Sequence, residues 1–211
     1  MKVFVLGATG TTGGLFVDDA LDEGHEVVAY VRSSGKLAPR ERLAVVVGDV
    51  ENVDMLARAM RDADAVVSML GLSSAKPNGF SEKAVRVITA AAERSGVARV
   101  LVMSAFGVGD SLPKASGLAQ LMYSGGGKAI FADKAAGEKV LKASSLEWTL
   151  AYPVLLTNKA KSPAFQALDL AAIDRLPGVP RVARADVARF LLDAAGSGDW
   201  ARRTAVLTTG K

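Results

Sequence analysis

The 211-residue chain contains no cysteine and a single histidine, His25. Without a thiol there can be no disulfide, thiolate nucleophile, iron–sulfur ligand or thiolate zinc site. One imidazole leaves little for a histidine metal cluster or a nucleophilic triad, so no metal is expected. His25 follows Gly24 at the start of an apolar run and reads as structural. Glycine, proline or charge interrupts every apolar run well short of the roughly 20 residues a membrane helix needs. The N-terminus also lacks the basic-then-apolar pattern of a secretion signal. A cytoplasmic protein without a membrane partner is the expectation. Aromatic residues make up 6% of the chain and do not interleave with basic ones as a base-stacking platform requires. The 26 Lys and Arg against 22 Asp and Glu give a net charge of +4, spread along the chain without an arginine-rich tract. A nucleic-acid partner is therefore not expected, whereas local positive charge beside an anionic small ligand is.

Half of the residues are hydrophobic, enough to close one core but not two. A single domain over residues 1–211 is expected. Short apolar runs recur: "KVFVL", "EVVAYV", "LAVVV", "DAVVSML", "RVLVMSA" and "LEWTLAY". They read as strands buried on both faces. Segments of helical period separate them. In "SEKAVRVITAAAERSG", Ala84, Ile88 and Ala91 form one stripe with Val85 and Ala92 beside it, Ser81 suits the start and Gly96 the end. This alternation, sustained to about residue 152, predicts an α/β fold, a doubly wound Rossmann-type parallel sheet with helices on both faces. Two stretches, at about 106–127 and 153–180, break the alternation and follow strand ends. The carboxyl ends of an open parallel sheet face the ligand crevice, so both are expected as substrate-side insertions. Within the second, "SPAFQALDLAAI" reads as a short helix. Beyond it "RVAR" reads as a strand, "ADVARFLLDAAG" as a helix capped by Gly196, and "TAVLTT" as the last strand.

At the first strand-to-helix junction stands "LGATGTTGG", with Gly7, Gly10 and Gly13 spaced G-x-x-G-x-x-G. Such a turn needs a sharp bend at Gly7, close approach of a pyrophosphate at Gly10, and tight strand–helix packing at Gly13. Thr9 lies in the turn, and the N–H groups of Thr11 and Thr12 sit at the positive end of the helix, suited to phosphate oxygens. About 20 residues further on, where an NAD site carries an acidic residue for the ribose hydroxyls, stands Arg32. A guanidinium binds a 2′-phosphate that a carboxylate would repel. Ser33, Ser34 and Lys36 add donors and charge. The expected cofactor is NADP(H). Asp49, at the end of the third strand, is placed to accept from the adenine amino group while Val50 packs on the ring. Leu70 and Gly71, after the fourth strand, are placed beneath the pyrophosphate and nicotinamide ribose. "GGGKA" at 125–129 lacks the spacing and hydroxyl residue of a P-loop.

Together "GATGTTG", "YVRSS", "VVVGDV", "DAVVSMLG", "MSAFG", "KVLKASSLEWTLAYP" and "RVARADVARFLL" resemble the atypical short-chain dehydrogenase/reductase family, in the NmrA-like branch that includes the biliverdin and flavin reductases. The resemblance implies strand order 3-2-1-4-5-6-7, NADP(H) across the strand ends, and substrate over the nicotinamide. Such enzymes carry a serine, and a tyrosine four residues before a lysine. Ser104 matches the serine and Lys134 the lysine, but the tyrosine position holds Ile130, and Tyr123 lies eleven residues from Lys134. Ser104 and Lys134 are the implied catalytic and cofactor-contacting pair, with Ala105 and Pro153 beside the nicotinamide and Phe106, Met122 and Val154 toward the substrate. The alternatives are a strand-end serine satisfying backbone and a surface ion pair of Lys134 with Glu138. An isoleucine cannot supply the proton that reduction of a simple ketone requires. A flavin, linear tetrapyrrole or quinone accepts hydride into a delocalised anion, so the expected activity is NADPH-dependent reduction of such a small-molecule acceptor. The other reading is an NADP(H)-binding redox sensor without turnover. A cleft lined by Phe106, Leu112, Met122 and Phe165 would favour the enzyme, and an exposed apolar patch on 153–180 the sensor. The oligomeric state is open, with a monomer preferred.

Overall fold

Strands and helices alternate through the residues that the computed structural model describes, 1–71, 79–124 and 127–210. Strand β1 (Lys2–Leu6) leads into helix α1 (Thr11–Asp22), and β2 (Glu26–Val31) into β3 (Leu43–Val47). Then follow α2 (Val53–Met60), β4 (Ala65–Ser68), α3 (Phe80–Ser95) and β5 (Arg99–Met103). After these come α4 (Gly117–Ser124), α5 (Lys128–Ala143), β6 (Glu147–Pro153), β7 (Leu155–Thr157) and β8 (Phe165–Asp169). The chain ends with β9 (Arg181–Ala183), α6 (Arg184–Ser197) and β10 (Arg203–Thr209).

The main sheet has eight strands in the order β3-β2-β1-β4-β5-β6-β10-β8. All pairs are parallel except β10 with β8. The expected order holds through the sixth strand, and the last strand of the chain takes the seventh place. Helices α1 and α6 pack together on one face, and α2, α3 and α5 on the other. Covered on both sides, β1 and β4 are buried almost completely, which is why their sequences are continuous apolar runs without alternation. Strand order reverses between β1 and β4, and it is there that a doubly wound sheet opens a crevice.

Several local expectations need correction. "SPAFQALDLAAI" forms β8 and a single 3-10 turn rather than a helix. Its backbone pairs antiparallel with Ala205–Thr209 and covers an edge that would otherwise expose a row of unpaired N–H and C=O groups. "RVAR" is a strand, but it pairs with β7 in a separate two-stranded sheet. Helix α6 continues through Gly196, and its left-handed cap is Gly198 at φ +74°. Helix α3 starts one residue before Ser81, after Gly79. The amides of Ser81 and Glu82 are satisfied instead by the Asp133 carboxylate of α5, at 3.0 Å each, so an acidic group from another helix takes the place of a local cap. Gly96 ends this helix as expected. In the first insertion, Gly125 and Gly126 of "GGGKA" lie outside the described residues. Among the described residues no helix is long and apolar enough to cross a membrane.

Candidate functional site

The glycines of the first turn each answer a different steric demand. Gly7 has φ +88°, and a Cβ there would lie 2.7 Å from the Met69 carbonyl oxygen. The turn therefore passes over the end of β4 only because nothing projects from it. Gly13 is tighter still, since its Cβ would stand 2.0 Å from the Gly7 carbonyl oxygen. Gly10 sits at φ −83° and meets only Gly7 O, at 3.3 Å, so its backbone is not strained. Its missing side chain keeps the start of α1 open. No side chain caps that helix, although other helix starts use Asn52 or Asp133, so its first N–H groups are free for an anion.

Above this turn lies a cleft of about 370 Å³ across the ends of β1 to β4, within the usual size of small-ligand sites. Gly7, Thr9 and Gly10 line one side, Arg32 the end of β2, Val50 the end of β3, and Leu70 and Gly71 the end of β4. Thr11 is exposed at the helix start and Thr12 is buried behind it. Arg32 is exposed, and no carboxylate among the described residues lies within ion-pair distance of it. Ser33 and Ser34, also exposed, enter a 3-10 turn just beyond the cleft wall. Asp49 is outside the wall as well, and one of its carboxylate oxygens accepts from Glu51 N at 3.0 Å.

Six lining residues were not expected from sequence: Leu6, Tyr30, Val31, Gly48, Met69 and Phe80. The Tyr30 hydroxyl donates to Asp49 O at 3.0 Å. Burial, then the nearby Asp49, pushes this phenol above its usual pKa. A Cβ at Gly48 would stand 2.1 Å from that hydroxyl, so Gly48 makes room for Tyr30. The glycine after "VVV" was the only signal.

Past Leu70 and Phe80, which line both spaces, a cavity of about 20 Å³ extends between the sheet, α3 and α5. Ser104, Lys134 and Glu138 share its wall. Ser104 is 6% exposed. Its amide donates to Ala151 O at 2.8 Å, while its Oγ has no hydrogen-bond partner among the described residues. The hydroxyl is thus not used to satisfy backbone. Lys134 forms no ion pair with Glu138, so the alternative of a surface pair does not hold: Lys134 is half-buried and Glu138 buried. Desolvation pulls the Lys134 ammonium below its usual pKa, against the opposing pull of Glu138 and Asp133. Glu138, 5% exposed, accepts a hydrogen bond from the Tyr152 hydroxyl. Burial raises its carboxyl above the usual range, opposed by Ser104, Tyr152, Lys142 and Lys134. Tyr152 is pushed far upward by burial and by Glu138.

The substrate-side expectations fare differently. Phe106 is 2% exposed, its ring edge-to-face with Tyr123 at 6.4 Å and its amide bonded to Pro153 O at 3.0 Å. It has no free face on which an acceptor could stack, and its place is in the core. Val154 is buried likewise, its amide bonded to Leu207 O at 3.1 Å. Pro153 is buried at the end of β6 and Ala105 is half-buried. Met122 is exposed on α4 with Leu118 and Leu121. Phe165 packs on Phe190 of α6, the face opposite α5, so Phe106, Leu112, Met122 and Phe165 do not line one cleft. Tyr123 packs between Phe106 and Phe131. Ile130, half-buried one turn before Lys134, offers no proton. His25 lies by the N-terminal amine, 3.3 Å from it, at the far end of β1.

A crevice at the strand-order reversal, floored by a glycine turn and an uncapped helix start, defines a dinucleotide-binding protein. Residues 7–197 match the NAD(P)H-binding family, and the chain belongs to it. Among solved structures it is similar to the oxidoreductase ylbE from Lactococcus lactis, with TM-score 0.84 and 18% identity over 100% of this chain and 92% of that one. It is similar to ChuY, an anaerobilin reductase from Escherichia coli O157:H7, with TM-score 0.81 and 25% identity over 100% and 98%. A short-chain dehydrogenase/reductase from Veillonella parvula in complex with NADP superposes with TM-score 0.82 at 18% identity, over 98% of this chain and 94% of that one. Among curated proteins, photosystem II assembly factor Ycf39 from Synechocystis is 39% identical over 69 residues, 32% of this chain and 21% of that protein. Eugenol synthase 2 from Clarkia breweri is 30% identical over 80 residues, 33% of this chain and 26% of that protein. These matches span about a quarter or less of the longer relatives.

Proposed function

We propose that the chain is an NADPH-dependent reductase of a conjugated acceptor, a flavin, linear tetrapyrrole or quinone, working without a tyrosine general acid. The observation that carries the reading is the meeting of Ser104 and Lys134 at a buried cavity joined to the dinucleotide cleft, with Ile130 where the phenol would be. When bound, the dinucleotide supplies the hydride. The chain binds and orients. The glycine turn and the α1 amides take the pyrophosphate, and Arg32, helped by Ser33, Ser34 and Lys36, takes the 2′-phosphate and so selects NADP(H). Asp49 and Val50 receive the adenine, and Leu70 and Gly71 pass beneath the ribose. Ser104 orients the nicotinamide or acceptor, and Lys134 holds ribose hydroxyls or lends positive potential to the charge developing on the acceptor. ChuY, similar along the whole chain, carries the name of a reductase, which supports this class. A sensor docking through 153–180 has less support, since Leu155 is the one large hydrophobic exposed there.

The test is to follow NADPH oxidation with FMN, biliverdin and a quinone. At least one should be reduced well above background. Tight NADPH binding with no acceptor reduced would leave the sensor instead. Ser104→Ala is expected to lower kcat by about tenfold to a hundredfold with the NADPH Kd unchanged. Undiminished turnover would remove Ser104 from the chemistry.

A further inference from the structure

Behind Ser104, two oxygens from different elements are left without partners. Ser104 Oγ at the end of β5 and Glu138 Oε1 on α5 are both buried and make no hydrogen bond to any described residue. Both residues line the cavity of about 20 Å³, room for about one water molecule. Glu138 Oε2 is engaged by the Tyr152 hydroxyl from β6, which fixes the carboxyl and leaves Oε1 as its free atom. Ser68 of β4, Ser81, Ala84 and Val85 of α3, Val102 and Met103 of β5, and Lys134 complete the wall, and Leu70 and Phe80 join it to the dinucleotide cleft. Polar groups so enclosed interact strongly with one another and weakly with bulk solvent.

The geometry points to Glu138 as the proton reservoir of the acceptor site, a positioning residue that feeds Ser104 from the same cavity. This rests on the reductase reading and supplies what Ile130 cannot. A bound dinucleotide would supply the hydride, and reduction of the acceptor would leave an electron pair on one of its heteroatoms. That pair forms a new bond to the Ser104 hydroxyl proton as the Oγ–H bond breaks. Oγ recovers a proton from the neighbouring Glu138 carboxyl across the shared cavity, which leaves Glu138 as carboxylate. Solvent returns the proton when product leaves. The groups around Glu138 suit both states. Burial keeps it protonated above the usual carboxylate range, while Lys134 and Lys142 on its own helix stabilise the carboxylate formed. From β6 it meets Tyr152 and from β5 Ser104. Asp133 acts on Lys134, Asp110 acts on Tyr152, and α3 presents only Ser81 and apolar side chains to the cavity.

Glu138→Gln keeps the shape and the acceptor for Tyr152 but holds no transferable proton. In the cofactor-free protein, the infrared stretch of a protonated carboxyl should persist above the pH at which ordinary carboxyls have lost their protons, and be missing from E138Q. With the acceptor that the wild type reduces, E138Q should lose about tenfold or more in kcat with the NADPH Kd unchanged. The wild-type kcat should fall as pH rises through the raised Glu138 value, and E138Q should lack that limb. Stability gives a further check. A carboxyl with a folded pKa above its unfolded one contributes fully below the unfolded value and loses that contribution as pH rises to the folded value. E138Q should thus match the wild type in Tm at low pH and exceed it above that window. If the carboxyl band is absent from the wild type, or E138Q slows turnover equally at every pH and keeps the limb, the reservoir is overturned and the reductase stands. If the band is present but the wild type reduces no acceptor, the reductase reading falls and the relay falls with it.

Discussion

Arg32→Asp should weaken NADPH binding by about a hundredfold and leave NADH binding unchanged or improved. The guanidinium lines the cleft at the end of β2, is exposed, and has no carboxylate within ion-pair distance among the described residues. It is therefore available to a ligand rather than committed to the fold. Replacing it with a carboxylate removes charge-assisted donors to the 2′-phosphate and adds repulsion, while offering an acceptor to the two ribose hydroxyls of NADH. Because the side chain is solvated, the loss should shrink as salt is raised. An exposed residue without protein partners contributes little to stability, so Tm should stay close to that of the wild type. Equal losses for the two dinucleotides would remove the case for phosphate selection.

Gly13→Ala should be the most damaging glycine-to-alanine change among the described residues. A Cβ there would stand 2.0 Å from Gly7 O, 2.8 Å from Gly7 C and 3.0 Å from Ala8 Cα, all of them backbone. No rotamer can swing away, so α1 must lift from β1 and distort the phosphate turn. Overpacking costs about 1–3 kcal/mol in ordinary cores. Here the loss should reach about 3 kcal/mol or more in urea unfolding, with dinucleotide binding lost. Gly14→Ala is the matched control, since its Cβ would find only Ala8 O at 4.0 Å. In an open helical position alanine gains up to about 1 kcal/mol over glycine. The two neighbouring substitutions should thus differ in sign. A stable, cofactor-binding Gly13→Ala protein would contradict the packing described.

These residues also mark how far the sequence could be read. Gly7, Gly10, Gly13 and Arg32 were accessible because each acts through its own backbone or charge at a junction that the strand–helix alternation locates. The stripe of Ala84, Ile88 and Ala91 was accessible because one helix face must be apolar. What escaped depends on partners far away in the chain. Helical period in "SPAFQALDLAAI" gave way to pairing with β10, about 40 residues on, because an open sheet edge outweighs a short helix. Gly48 acquires its meaning only from Tyr30, whose hydroxyl fills its space. Phe106 looked like a stacking surface by its place after a strand, yet its bond to Pro153 O and its packing on Tyr123 draw it inward. Glu138 read as the i,i+4 partner of Lys134 because helix spacing is visible in sequence. Its actual partner, Tyr152, comes from the next strand, and its shared cavity with Ser104 exists only in the folded chain.

Titration of the wild-type protein with NADPH and with NADH, followed by dinucleotide fluorescence at two salt concentrations, tests the central claim most directly. NADPH should bind at least about tenfold more tightly at low salt, with the advantage narrowing as salt rises. Equal affinity, tighter binding of NADH, or no binding of either would contradict the account.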